Sequence, residues 1–288
     1  YLDWLEKEAK LQTELFGHKP RLQSIYIGGG TPTILSTKQL DKLFSIIEKF
    51  YQYENIEYTL EGCPETITNE KIKIASEYLV NRISIGVESF NDDILEKVNR
   101  RHRRQETIDK LLSMKNSAIS NIDIDLINNL PNSNLATTFD DAMQAVATGL
   151  PSVTLYHYHN KPESILRKQK QNPSENDQII KHIIFDTVLS ENGYWQDNFD
   201  KYIKDDKIFQ HQVQKWHKQI NMLTLGVGCY GFIKDTQYFI SRSLKEYYEK
   251  ISNDIVPIIK KKTLDTQKKD LRNFIMSLKI NGSQFDIR

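Results

Sequence analysis

Apolar residues run through the first half of the chain in two alternating rhythms. Tyr1–Phe16 carries Leu2, Leu5, Ala9, Leu11 and Leu15 at helical spacing among Asp3, Glu6, Lys7, Glu8 and Lys10, which predicts an amphipathic helix closed by Gly17 and Pro20. Ser24–Ile27 reads as a short buried strand, and a helix follows from about Ser36, a plausible N-cap. That helix runs over Gln39–Tyr51, and further helices are predicted over Asn69–Leu79, Asp92–Arg100, Glu106–Asn116 and Thr137–Thr148. Between them, Ile56–Leu60, Arg82–Val87, Ile122–Ile127 and Val153–Tyr158 read as strands. This repeat, with roughly 30 residues per unit, implies parallel strands joined by right-handed crossovers.

The chemistry collects where the strands end. Gly28-Gly29-Gly30-Thr31 follows the first strand, Glu61 the second and Glu88 the third. Asp125 lies in the fourth, and His157-Tyr158-His159 closes the fifth. Ligands of barrels and open parallel sheets sit at these strand ends. Each carboxylate alone could be a helix cap or half of a salt bridge, but three carboxylates and His159 on one rim point to a ligand. Three successive glycines let the backbone take positive φ and approach a ligand closely. No Lys-Ser/Thr follows them and no spaced glycine opens the helix, so this is neither a Walker loop nor a dinucleotide fingerprint.

Past residue 160 the rhythm is lost. Lys161–Asp177 is polar and reads as a loop or linker. Then come a helix over Gln178–Glu191, a strand over Tyr194–Phe199, and an apolar strand-like run Leu223–Gly228 entering a second glycine loop, Gly226–Phe232. Helices over Ser243–Ser252 and Asp265–Ser277 finish the chain. The expected domains are 1–160, a partial barrel, and 161–288, an α+β extension.

Composition narrows the field. The 288 residues carry a formal charge of +1, which gives no general surface for nucleic acid. No apolar stretch is long enough to span a bilayer. Lys260-Lys261-Lys262 reads as solvated. Arg101-His102-Arg103-Arg104 reads as a solvated loop, or as a basic face for an acidic substrate. The two cysteines, Cys63 and Cys229, form no CxxC pair and so no cluster site, and such low usage fits a reducing cytoplasm.

The ordered set YIGGGTPT, a strand ending in Glu61, RISIGVESFND, VNRRH, IDIDLINNLP and LGVGCYGF resembles the oxygen-independent coproporphyrinogen III oxidase-like branch of the radical SAM enzymes. That branch includes porphyrinogen decarboxylases, heme chaperones and methyltransferases. The resemblance covers nearly the whole chain. It implies an α/β fold, a partial (β/α)6 TIM-like barrel with a C-terminal α+β extension. It also implies S-adenosyl-L-methionine (SAM), a four-iron four-sulfur cluster and a reductase such as flavodoxin. The family's CxxxCxxC loop follows its first strand, and Tyr1–Phe16 matches the helix after that loop. The cluster cysteines are therefore expected upstream of Tyr1, with Ser24–Ile27 at an uncovered barrel edge.

Position by position, the resemblance implies that Gly29, Gly30 and Thr31 hold the methionine end of SAM, with Glu61. Arg100 would take its carboxylate, Asp125 the ribose hydroxyls, and His159 and Phe232 the adenine. Glu88 stands where the family typically has Gln, and could serve SAM or the substrate. His211-Gln-Val-Gln-Lys-Trp216 resembles part of the HNxxYW segment of heme chaperones, which makes His211 a candidate haem contact or a structural histidine. The implied activity is SAM-derived radical chemistry on a tetrapyrrole or other aromatic small molecule, by decarboxylation or methyl transfer. The alternatives are a cluster-less SAM or haem carrier, and a generic barrel enzyme using Glu61, Glu88 and His159 for acid–base work.

Overall fold

The computed structural model describes residues 1–159, 174–205, 207–218 (the side chain of residue 217 apart) and 220–279. Five strands, β1 (Ser24–Ile27), β2 (Glu57–Gly62), β3 (Arg82–Glu88), β4 (Asn121–Asn128) and β5 (Ser152–His157), lie side by side in parallel. The hairpin β6 (Trp195–Asn198) and β7 (Lys201–Ile203) extends the sheet beyond β5, with β7 antiparallel to it, so the order is β1-β2-β3-β4-β5-β7-β6. Helices join the parallel strands: α2 (Thr37–Phe50), α3 (Asn69–Glu77), the pair α4 (Asp92–Lys97) and α5 (Arg104–Lys115), and α6 (Leu135–Thr148). The first helix, α1 (Leu2–Phe16), precedes β1, and α7 (Glu175–Glu191) packs on α6. This is the expected α/β partial barrel. Strand β1 is its edge strand, as expected for Ser24–Ile27.

The local sequence explains where the helices begin. Ser36 and Gln39 exchange hydrogen bonds in a capping box at α2, and Asn134 with Thr137 does the same at α6. Thr68 and Asn91 cap α3 and α4. Helix α1 ends on Gly17 at φ 70°, a left-handed conformation glycine adopts without penalty.

The sheet has two unlike faces, because side chains alternate along a strand. One set, Tyr58, Leu60, Ile83, Ile85, Val87, Ile122, Ile124, Leu126, Val153 and Leu155, joins Phe44, Leu111, Met114, Ala142 and Ala145 of the helices in a continuous core. Each Val, Leu, Ile, Phe or Met among them stabilises the fold by about 1.5–3 kcal/mol when fully buried. The alternate set is polar: Tyr26, Thr59, Glu61, Arg82, Ser84, Asp123, Asp125 and Thr154, linked to one another by hydrogen bonds. It lines the inside of the curled sheet.

The extension builds a second sheet in the order β10-β9-β8, from β8 (Tyr230–Ile233), β9 (Thr236–Ile240) and β10 (Ile258–Thr263). Helices α8 (Leu244–Ser252) and α9 (Thr266–Ser277) accompany it. A separate small core of Tyr238, Ile240, Tyr247 and Ile251 includes Trp4 and Leu11 of α1, so α1 belongs to both parts of the molecule.

Two expectations need correction. Leu223–Gly228 is not a strand: Gly226 and Gly228 turn the chain at φ 110° and 75°, and the Gly226 N–H bonds Glu8 instead of a neighbouring strand. Lys260–Lys262 is solvated, as expected, within the fully exposed edge strand β10. The run Arg101–Arg104 is largely not a solvated loop. His102 is buried, its ring within hydrogen-bond distance of the Val87 carbonyl (2.9 Å) and of Glu65 (3.0 Å). Arg104 pairs with Asp140, and Arg103 donates to the carbonyls of Arg100 and His102; Arg101 alone is exposed. Among the described residues no helix is long and apolar enough to cross a membrane.

Candidate functional site

The site forms where the polar inner face of the sheet meets the C-terminal ends of the strands. After β1 the chain passes through Gly29 and Gly30 at φ 91° and 137°, conformations that side chains resist. The loop wraps the Glu61 carboxylate. One oxygen accepts from the Gly29 N–H at 3.0 Å and the other from the Tyr26 hydroxyl at 2.6 Å. A Cβ on Gly28 would lie 2.4–2.6 Å from the carboxylate atoms, so that glycine is required for the close approach. Thr31 accepts from the Ile34 N–H through its carbonyl and opens a short 3-10 turn, Pro32–Ile34.

A second carboxylate stands next along the rim. Strand β3 bulges against β4 between Gly86 and Glu88, and Glu88 takes φ 66°. Its buried carboxylate forms an ion pair with the half-exposed Arg100 guanidinium. Burial raises the Glu88 pKa, and the charges of Arg100 and His102 offset only part of that. Behind His102, Glu65 is partly buried, which would raise its pKa. Hydrogen bonds from the Cys63 thiol and His102 nevertheless hold it down to about 2.

The third carboxylate is Asp125, on β4. Ser84 Oγ lies 3.0 and 3.2 Å from its two oxygens and 3.4 Å from Asp123 Oδ2. Burial and the negative charge of Asp123 both raise the Asp125 pKa. Asp123 behaves oppositely. It is more deeply buried, but Lys201 and Arg82 hold its carboxylate ionised. Arg82 Nη2 lies 2.5 Å and Thr154 Oγ1 2.8 Å from Asp123 Oδ2, and Lys201 Nζ bonds the same oxygen. Phe209 stacks beneath, 4.0 Å from the Arg82 guanidinium and 4.6 Å from Lys201 Nζ. This charged layer forms a floor below the rim.

The predicted residues therefore divide into groups. Gly29, Gly30 and Thr31 follow β1, Glu61 lies near the end of β2 and Glu88 at the end of β3, Arg100 reaches Glu88 from the α4–α5 connection, and Asp125 stands on the inner face within β4. His159 follows β5 at the same end and is exposed. Phe232 lies in the second sheet, with the Arg272 guanidinium 4.0 Å from its ring. His211 lies at the other end of the barrel, where its Nδ1 is 2.9 Å from Oγ of Ser24, the first residue of β1. It stacks on Tyr26, and burial with the charges of Lys215 and Arg82 pushes its pKa down to about 4. Sequence reasoning missed Tyr26, Ser84 and the floor of Arg82, Asp123 and Lys201. The signal was there in part: polar residues two apart, Thr59/Glu61, Arg82/Ser84 and Asp123/Asp125, interrupt strands that read as apolar runs.

Two groups can be tested against these residues. SAM carries an ammonium, a carboxylate and a ribose diol. The glycine loop with Glu61, the Arg100 guanidinium and Asp125 offer one complementary partner to each, so the rim fits SAM. A four-iron four-sulfur cluster does not fit. Cys63 is buried with its thiol 3.1 Å from the Thr66 hydroxyl, and Cys229 belongs to the extension. Among the described residues no group of three or more His, Cys, Asp or Glu side chains could hold a metal.

Residues 3–142 match the family described as the radical SAM superfamily. The "Heme chaperone HemW" of Lactococcus lactis subsp. lactis is 29% identical over 224 residues, 76% of this chain and 59% of that protein. The protein of that name from Bacillus subtilis is 28% identical over 265 residues, 89% of this chain and 69% of that protein. Thus the matched part is little more than half of the Lactococcus protein's length. Among solved structures, the coproporphyrinogen III oxidase HemN from Escherichia coli, described as a radical SAM enzyme, superposes with a TM-score of 0.84. That match covers 98% of this chain and 68% of the other at 21% identity, a likeness of fold.

Proposed function

We propose, from the radical SAM domain carried by residues 3–142, that this chain binds SAM at the rim of its half-barrel and serves tetrapyrrole chemistry or transport. The observation that carries this reading is the glycine loop closed around Glu61, with Arg100 paired to Glu88 at the end of β3 and Asp125 on the inner face of β4. Gly29, Gly30 and Thr31 would present backbone groups to the methionine end, and Glu61 would take its ammonium. Arg100 would pair with its carboxylate, a geometry guanidinium suits. Asp125 would accept from the ribose hydroxyls, and His159 would border the adenine. The floor of Arg82, Asp123, Lys201 and Phe209 closes the barrel beneath and keeps bulk water from that side.

In this family SAM supplies a 5′-deoxyadenosyl radical when it is bound at a reduced iron–sulfur cluster. The two cysteines of this sequence cannot hold one, so the thiolates of such a cluster would be supplied from outside residues 1–288. A tetrapyrrole is the favoured substrate class because the relatives are heme chaperones and the structural match is a coproporphyrinogen oxidase.

A second reading is haem carriage without turnover, favoured by the relatives' names and by His211 with Trp216. His211 is neutral at physiological pH, as a haem ligand must be, though it is engaged by Ser24. The test uses the protein at its full native length. It is reconstituted anaerobically with iron and sulfide, then given SAM and dithionite. Formation of 5′-deoxyadenosine supports the radical enzyme. Bound SAM and bound haem without 5′-deoxyadenosine would replace it with the carrier.

A further inference from the structure

The rim carries an ion pair whose two halves have different duties. Among the described residues, Arg100 is the cation on this rim that can meet a ligand carboxylate. Its side chain is 39% exposed, but Nη2 is engaged by Glu88 Oε1. Glu88 is 10% exposed and is held where it stands by the backbone. The bulge after Gly86 and a φ of 66° turn its carboxylate back along its own strand. Oε1 would come within 3.3 Å of a Cβ on Gly86, so glycine leaves room for the turn. Among the described residues, the ionisable groups facing Glu88 are Arg100, His102 and Glu65. His102 is committed to Glu65 and the Val87 carbonyl, which leaves Arg100 as the partner of the Glu88 carboxylate.

We propose that Glu88 is an internal carboxylate that occupies Arg100 until a ligand carboxylate displaces it, and so sets the affinity of the rim for SAM-like amino acids. The inference rests on the SAM-binding reading of the site. A guanidinium can serve two carboxylates, but placing a second anion beside a buried one brings like charges together in a region of low dielectric. The ligand therefore binds most readily when Glu88 takes up a proton. Binding is linked to that proton, and affinity rises as the pH falls. Glu88 acts through Arg100 and is a positioning residue, not a catalytic one.

The competing role is direct contact: Glu88 could hold the ligand's ammonium while Arg100 holds its carboxylate. The two roles make opposite demands on one substitution. S-adenosylhomocysteine has the same amino acid and nucleoside ends as SAM and needs no cluster chemistry. Its affinity for the intact chain is measured by titration calorimetry at pH 6, 7 and 8, for wild type, E88Q and R100A. A melting curve for each protein checks folding, and E88A replaces E88Q if the amide variant fails to fold. The expected result is wild-type binding that weakens by about tenfold from pH 6 to 8, and E88Q binding that is at least as tight as wild type at pH 6 and falls less steeply across the range. R100A should bind weakly at every pH. Weaker binding by E88Q than by wild type would overturn the competitor role in favour of direct contact. Binding with the same pH slope in both would overturn it in favour of another titrating group. Absence of binding in wild type and E88Q alike would overturn the SAM reading itself, a failure distinct from the other two.

Discussion

Gly28 is the residue at which the loop leaves least room. A methyl group there would overlap the Glu61 carboxylate at 2.4–2.6 Å, so Gly28→Ala must push Glu61 off Gly29 and Tyr26. Loss of S-adenosylhomocysteine affinity of about tenfold or more is expected, because each 1.4 kcal/mol is a factor of ten. Equal affinity in calorimetry would remove Glu61 from the site. Asp125 offers a test with a pH signature. Its folded-state pKa lies above the unfolded value, so its ionisation costs stability as the pH rises through the folded pKa. Asp125→Asn removes the like charge beside Asp123. The variant is expected to melt higher than wild type at pH 8, with the difference shrinking toward pH 5, while losing ligand affinity. A variant that melts lower at pH 8 would show that Asp125 is stabilised by a partner.

At the scale of elements, α1 ties the barrel to the extension, in part through a buried acid. Glu8 accepts from the Gly226 N–H at 2.9 Å, the Tyr247 hydroxyl at 2.7 Å and Gln12 at 3.3 Å, and burial raises its pKa. Gln12 in turn donates to the Thr224 carbonyl at 2.8 Å. Glu8→Ala orphans buried donors and is expected to cost about 2–4 kcal/mol in urea unfolding. Glu8→Gln keeps an acceptor and should cost much less; equal losses would mean the charge itself is what α1 needs. Such elements differed in how far the sequence disclosed them. The parallel strands were legible because each is an apolar run bracketed by caps and helical spacing. Strands β8 to β10 were not, since Tyr230–Ile233 is four residues long and β10 has no buried side chain to impose alternation. His102 was misread because four cationic neighbours mask the one ring that turns inward.

Over the whole molecule, the extension closes the barrel as well as flanking it. Lys201 of β7 reaches Asp123 of β4 across 78 residues of sequence, and Glu57 of β2 accepts from the backbone N–H groups of Gln210 and His211 at 2.8 and 3.1 Å. No local pattern announces such a pair, which is why the strand-end carboxylates were legible and the floor beneath them was not. Lys201→Met leaves a fully buried carboxylate with Arg82 as its remaining cation. It is expected to cost about 3–5 kcal/mol in denaturant unfolding, the usual cost of breaking a buried pair. A loss below about 1 kcal/mol would mean that Arg82 alone neutralises Asp123.

The central claim is that the rim formed by the Gly28–Thr31 loop, Glu61, Arg100 and Asp125 is a SAM site. Titration calorimetry of the intact chain with S-adenosylhomocysteine tests it most directly, with Glu61→Ala and Asp125→Asn measured beside wild type and melting curves confirming that each is folded. The expected result is saturable binding of one ligand per chain, weakened at least tenfold by either substitution. Absence of binding by folded wild type, or binding that neither substitution alters, would contradict it.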